Sequence, residues 1–134
     1  MLTTTHNIII NEMVEDVILV GDKIRLEQVI NNLLTNAIKY SPDADRVEVS
    51  SVKEGNNLIV SVKDYGIGVP NEYLEHLIER YYRVDNHAMR FPGLGVGLYI
   101  SSEILKRHNG RLFIDSEVGI GSTFNFIIPI TTEI

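Results

Sequence analysis

Two pairs of short alternating runs dominate what this chain can fold into. RVEVSSVK and NLIVSVKD flank EGN, and RLFIDS and TFNFIIP flank EVGIGS. Each run has the two-residue period of a strand, and each pair is separated by a short glycine-containing turn, so both pairs read as hairpins. Val47, Val49, Val60 and Val62 are the positions expected to face a core. Strands paired as hairpins, with helices covering one face, predict an α+β two-layer sandwich rather than a doubly wound parallel sheet.

From Asp22 the period changes. Leu26, Val29, Ile30, Leu33, Leu34 and Ala37 recur at three- and four-residue intervals, which predicts an amphipathic helix ended by YSPD. A second helix is expected after Pro70, with Leu74, Leu77, Ile78 and Tyr81 on one stripe. A third runs from the glycine segment GLGVGLY to RHNG, where Gly110 fits a left-handed C-cap. Before the first helix stand two further β-like runs, HNIII and VILV. With 134 residues, 44% of them hydrophobic, and no internal repeat, residues 1–134 are expected to form a single domain.

Several classes are disfavoured. No apolar stretch approaches the roughly 20 residues of a membrane span, and no signal-peptide pattern opens the chain, so no membrane contact is expected from this segment. A net charge of −6 without a Lys/Arg cluster argues against nucleic acid. The absence of cysteine excludes disulfides and thiolate metal sites and fits a reducing compartment, so a cytoplasmic location is expected, with anchoring of a longer parent left open.

Four constellations could carry chemistry. Asn32, Asn36 and Lys39 in NNLLTNAIKYSP fall within about 60° of one another on a helical wheel. An amide oxygen suits a hard cation and an ammonium suits a phosphate, so the stripe fits a magnesium nucleotide, although a solvated helix side would look alike. Asp64 in DYGIG ends a strand, where its carboxylate could accept from an exocyclic amine such as that of adenine, while Gly66 and Gly68 let the backbone turn; a plain turn uses the same residues. ERYYRVD places Tyr81, Tyr82 and Arg83 at the head of a polar loop that could close over phosphates. GIGSTF ends in Thr123 and Phe124 and reads by itself as a hairpin turn. The glycine run GLGVGLY falls short of a dinucleotide fingerprint, because Leu98 stands where GxGxxG needs a third glycine and a polar loop precedes it.

Taken in order, an asparagine helix, DxGxG, an aromatic-Arg segment, GLGVGL and GxGxTF resemble the catalytic ATP-binding domain of sensor histidine kinases, in the superfamily shared with gyrase-type and MutL-type ATPases. The resemblance covers about residues 20–130. It implies a Bergerat-type fold with a mixed, mainly antiparallel sheet under about three helices, and it implies ATP and Mg2+ as ligands. Asn36 would ligate magnesium, Asn32 would lie near the phosphates, and Lys39 and Tyr40 would contact the phosphate chain or lid. Asp64 would bond the adenine amine, with Ile67 and Gly68 lining the base and Thr123 beside it. Arg83 would reach the terminal phosphate, and Tyr82 counts among the nucleotide-binding residues. Leu94, Gly95, Gly97 and Leu98 would form the lid's end and a helix N-terminus. Asn32, Lys39 and Arg83 are the residues implied to act on the reacting phosphate.

In the hydrolysing relatives a glutamate stands one turn before the magnesium asparagine; here that place is Asn32, which lacks useful basicity. Glu27 points about 140° away on the wheel and is no substitute. The resemblance therefore implies transfer of the phosphoryl group to a histidine. His6, His76, His87 and His108 all lack the acceptor's setting, so the acceptor is expected on a dimerisation domain outside these residues, with a response regulator downstream. The family's two aromatic-box phenylalanines are Ile78 and Tyr81 here. A regulatory module that binds nucleotide without transferring phosphate, or a serine kinase or ATPase of the same superfamily, stands as the alternative.

Overall fold

The computed structural model describes residues 7–10, 17, 19–39, 41, 44–69, 72 and 94–130. In these residues the chain forms β1 (Asn7–Ile10), α1 (Lys23–Lys39), β2 (Arg46–Glu54), β3 (Asn57–Asp64), α2 (Leu94–Arg107), β4 (Arg111–Glu117) and β5 (Gly121–Pro129). The strands make one sheet in the order β1-β2-β3-β5-β4. β1 runs parallel to β2 and every other neighbouring pair is antiparallel, so the sheet is mixed and mainly antiparallel as expected. The described residues hold two helices against the three expected. The helix predicted after Pro70 lies outside them except at Glu72, which is helical.

Both predicted hairpins form. Glu54 opposes Asn57, and Gly55 takes φ 60° at the first of the two loop positions, as the primed hairpin turns require. In the second hairpin the ladder extends to Glu117 opposite Gly121, so β5 begins at Gly121 rather than Thr123. The run VILV is a different case. Val17, Leu19 and Val20 join no strand; Leu19 packs against the core while Val20 faces out. A four-residue apolar run does not distinguish a strand from an irregular lead-in, and no ladder partner takes this one up among the described residues.

Helix α1 starts where its sequence supplies a cap: Asp22 Oδ1 accepts the Arg25 N–H at 3.2 Å. The Asp22 N–H in turn donates to His108 Nε2 at 3.0 Å, and His108 Nδ1–H donates to the Ile104 carbonyl at 2.8 Å. One imidazole thus ties the start of α1 to the end of α2. That end is a Schellman cap, in which the Gly110 N–H reaches the Leu105 carbonyl and the Asn109 N–H reaches that of Lys106. Asn109, at φ 60°, takes the left-handed conformation expected of Gly110. Gly110 is needed for another reason: a Cβ there would run into the Ile127 carbonyl.

The helices cover one face of the sheet. Strand alternation turns Val47, Val49, Val60, Val62, Leu112, Phe124, Phe126 and Ile128 towards them, and α1 and α2 contribute Val29, Leu33, Leu34, Ala37, Leu98 and Leu105 to the same cluster. Truncating a fully buried member such as Leu33 or Phe124 to alanine costs roughly 3–5 kcal/mol. This two-layer core holds the polar residues described next in place.

Candidate functional site

Asn36 lies on the buried side of α1 between Leu33, Leu34 and Ala37, only 5% exposed. Among the described residues its Nδ2 has no hydrogen-bond partner. An asparagine is a weak helix former, and a buried amide hydrogen left unpaired costs roughly 1–3 kcal/mol, a cost that a ligand at this atom would offset. The position is not the solvated helix side that spacing alone allowed.

One turn earlier, Asn32 is half-buried and reaches across to α2. Its Nδ2 donates to the Gly97 carbonyl at 3.4 Å and to Ser101 Oγ at 3.1 Å. Lys39 is exposed at the last residue of α1. The predicted stripe therefore grades from an inter-helix link through a buried amide to an exposed ammonium.

Asp64 is the last residue of β3, and the alternation that buries Val60 and Val62 turns its carboxylate inward as well. It is 1% exposed. Oδ1 accepts the Gly66 N–H at 2.9 Å and the Ser122 N–H at 3.1 Å, whereas Oδ2 is buried with no partner among the described residues. Burial pushes the carboxyl up from the ordinary 3.8 to about 6, against the opposing pull of the Gly66 and Ser122 N–H groups. A buried acceptor with one oxygen tied down and the other unpaired is suited to a ligand N–H.

The surrounding backbone is built from glycines that cannot be replaced freely. Gly68 has φ 72° and a Cβ there would collide with the Glu117 carbonyl; Gly121 has φ 144° and would collide with that of Asp64. The DYGIG turn is laced to the second hairpin by the Gly119 N–H on the Ile67 carbonyl at 2.9 Å and by the Val69 N–H on Ser116 Oγ at 2.6 Å. Ser116 Oγ also lies 2.7 Å from Ser122 Oγ. Asp64, Ser116, Gly121, Ser122 and Thr123 line a recess of about 250 Å³. A larger groove of about 650 Å³, beside Arg25, Tyr99, Glu103 and Arg107, contains none of the predicted site residues.

Other predicted residues fall as follows. Ile67 is 43% exposed within the turn. Leu94 opens α2 and Gly95 follows it, so both stand at a helix N-terminus. Gly97 faces Asn32 through its carbonyl. Leu98 is fully buried in the core, so only its backbone is left for a ligand. Thr123 alternates to the face opposite Phe124, across from Lys63; the residue that reaches Asp64 is Ser122, one position earlier. The inward alternation of Phe124 and Phe126 carries the signal for Ser122, once β5 is extended back to Gly121. Ser101 and Ser116 carry no such local signal. Tyr40, Tyr82 and Arg83 lie outside the described residues.

A sequence profile of the histidine kinase-, DNA gyrase B- and HSP90-like ATPases matches residues 21–132. The sensor histidine kinase WalK of Bacillus subtilis (strain 168) is 40% identical over 115 residues, which span 84% of this chain and 19% of WalK. The sensor-like histidine kinase SenX3 of Mycolicibacterium smegmatis is 41% identical over 110 residues, 81% of this chain and 29% of SenX3. The chain thus spans less than a third of the length of either relative. Among solved structures, the mycobacterial sensor histidine kinase MprB superposes with a TM-score of 0.78 at 26% identity, covering 92% of this chain and 84% of that one. Full-length ShkA in complex with AMPPNP superposes with a TM-score of 0.77 at 26% identity, over 94% of this chain and 26% of ShkA. Among the described residues no helix is long and apolar enough to cross a membrane.

Proposed function

The chain belongs to the histidine kinase-, DNA gyrase B- and HSP90-like ATPase family, and from that premise we propose that it binds Mg·ATP and donates the γ-phosphate to a histidine on a separate dimerisation domain, with a response regulator downstream. The observation that carries the ATP reading is the unpaired Oδ2 of Asp64, a residue only 1% exposed. Adenine presents an amine there. The AMPPNP in the ShkA complex supports an adenine nucleotide as the ligand of this fold.

Asn36 fits the metal. Among the described residues its Nδ2 has no partner, so a half-turn of the amide forfeits no described protein hydrogen bond at that atom and brings Oδ1 to the same place. Bound magnesium would neutralise phosphate charge. Asp64 orients the base, and Ile67 and Gly68 bound its plane. The N–H groups at the start of α2 and the Lys39 ammonium complement phosphate oxygens. Tyr40, Tyr82 and Arg83 complete the phosphate end in this reading, and Thr123 remains at the rim of the base recess.

No carboxylate stands on α1 where a hydrolase needs its base. Asn32 fills that place with an amide engaged to α2, which leaves attacking water unactivated and favours a nucleophile brought by another domain. The test of nucleotide identity is a titration with ATP and GTP in magnesium. GTP presents a carbonyl where ATP presents an amine, so Asp64 Oδ2 would face an acceptor. ATP is expected to bind at least about tenfold more tightly; equal affinities would remove the base assignment.

A further inference from the structure

Asn32 and Asn36 stand one turn apart on α1, yet their amides are held in opposite ways. Among the described residues Asn36 Nδ2 has no partner. Asn32 Nδ2 donates to both the Gly97 carbonyl and Ser101 Oγ. A main-chain carbonyl only accepts, so Gly97 decides which end of the amide is nitrogen, and the nitrogen is committed to α2. Oδ1 is then the group Asn32 has left for a ligand. An acceptor attracts the water ligands of a metal ion and repels phosphate oxygens.

We propose that Ser101 is a positioning residue, whose hydroxyl, with the Gly97 carbonyl, holds the Asn32 amide oxygen-forward so that Asn32 engages the water shell of bound magnesium. The inference rests on the Mg·ATP reading above and refines it, moving Asn32 from the phosphate oxygens to the metal's water. Ser101 is 0% exposed inside α2. Serine is a poorer helix former than alanine and its buried hydroxyl needs a partner, so an apolar role would be better served by alanine. The Asn32 amide is a partner that accounts for it.

The test is ATP binding to this chain at stepped magnesium concentrations and in EDTA. Ser101→Ala is expected to raise the magnesium concentration at half-maximal ATP binding about fivefold, the scale of one hydrogen bond, and to leave binding in EDTA at the parental level. Asn32→Ala is expected to raise the midpoint similarly, and adding Ser101→Ala to it is expected to change nothing further, because the group through which Ser101 acts is gone. If Ser101→Ala does not fold, Ser101→Cys serves in the same cycle, keeping the size and replacing a strong acceptor with a weak one. An unchanged midpoint, equal losses with and without magnesium, or additive losses in the double variant would overturn the proposal. Failure of the parental chain to bind ATP at all would overturn the Mg·ATP reading and the proposal with it.

Discussion

The Ser122 N–H donates to Asp64 Oδ1 at 3.1 Å across 58 residues of chain. With the Gly66 N–H on the same oxygen, both protein donors are concentrated on one side of the carboxylate and the other side is bare. The arrangement favours ligand recognition over stability of the empty fold. It generates predictions of opposite sign for the two.

Asp64→Asn is expected to stabilise the ligand-free domain at neutral pH while abolishing selective ATP binding. The folded carboxyl titrates at about 6 and the unfolded one at 3.8. A raised carboxyl pKa means that the folded state binds the proton more tightly, so stability is lost as pH rises from about 4 to about 6. The full penalty above that window is about 3 kcal/mol. Part is returned because the new amide nitrogen is itself unpaired, so the net gain at pH 7.5 is about 1–2 kcal/mol and shrinks towards pH 4. Urea unfolding of both proteins at pH 4 and 7.5 checks this, and parallel pH dependences would show that Asp64 is not strained.

ATP affinity should be flat above about pH 7 and fall as pH drops through 6, approaching tenfold per unit. In the proposed reading the ligand amine donates to Oδ2, and protonation removes that acceptor. Calorimetric titration in buffers of differing ionisation heat would also reveal proton release near pH 6. Constant affinity from pH 7.5 down to 5 would contradict this role of the carboxylate.

Two glycines with almost the same φ should respond differently to alanine. A Cβ at Gly55 (φ 60°) would meet nothing within 4 Å, so Gly55→Ala carries only the left-handed strain, about 1 kcal/mol. Gly68 (φ 72°) adds a collision with the Glu117 backbone, so Gly68→Ala is expected to cost about 2–4 kcal/mol and to weaken ATP binding by displacing the turn from Asp64. Thermal unfolding and ATP titration of the pair separate strain from crowding. Equal effects would mean that the close approach of Gly68 to Glu117 is unimportant.

Much of this arrangement is legible in the sequence, because periodicity reports burial. The valines of β2 and β3 and the α1 stripe follow directly from it, and Asp64 sits inward because it continues the phase of Val60 and Val62. What the sequence conceals depends on contacts distant along the chain. GIGSTF points to Thr123 rather than Ser122 because the register of β5 against β4 extends back to Gly121, which no local pattern announces. Ser101 looks like an ordinary helix residue until Asn32 is brought to it from 69 positions away. Asn109 takes the left-handed cap in place of Gly110 because Gly110 is held against the Ile127 carbonyl, a tertiary demand invisible in RHNG.

Phosphotransfer is the most direct measurement of the central claim. The chain is mixed with a histidine-bearing dimerisation domain and γ-labelled ATP, and the labelled product is divided between acid and alkali. An acid-labile, alkali-stable phosphate on the partner, lost with Asn36→Ala, is the predicted result. An acid-stable product, or ATP bound with no label transferred, would contradict it.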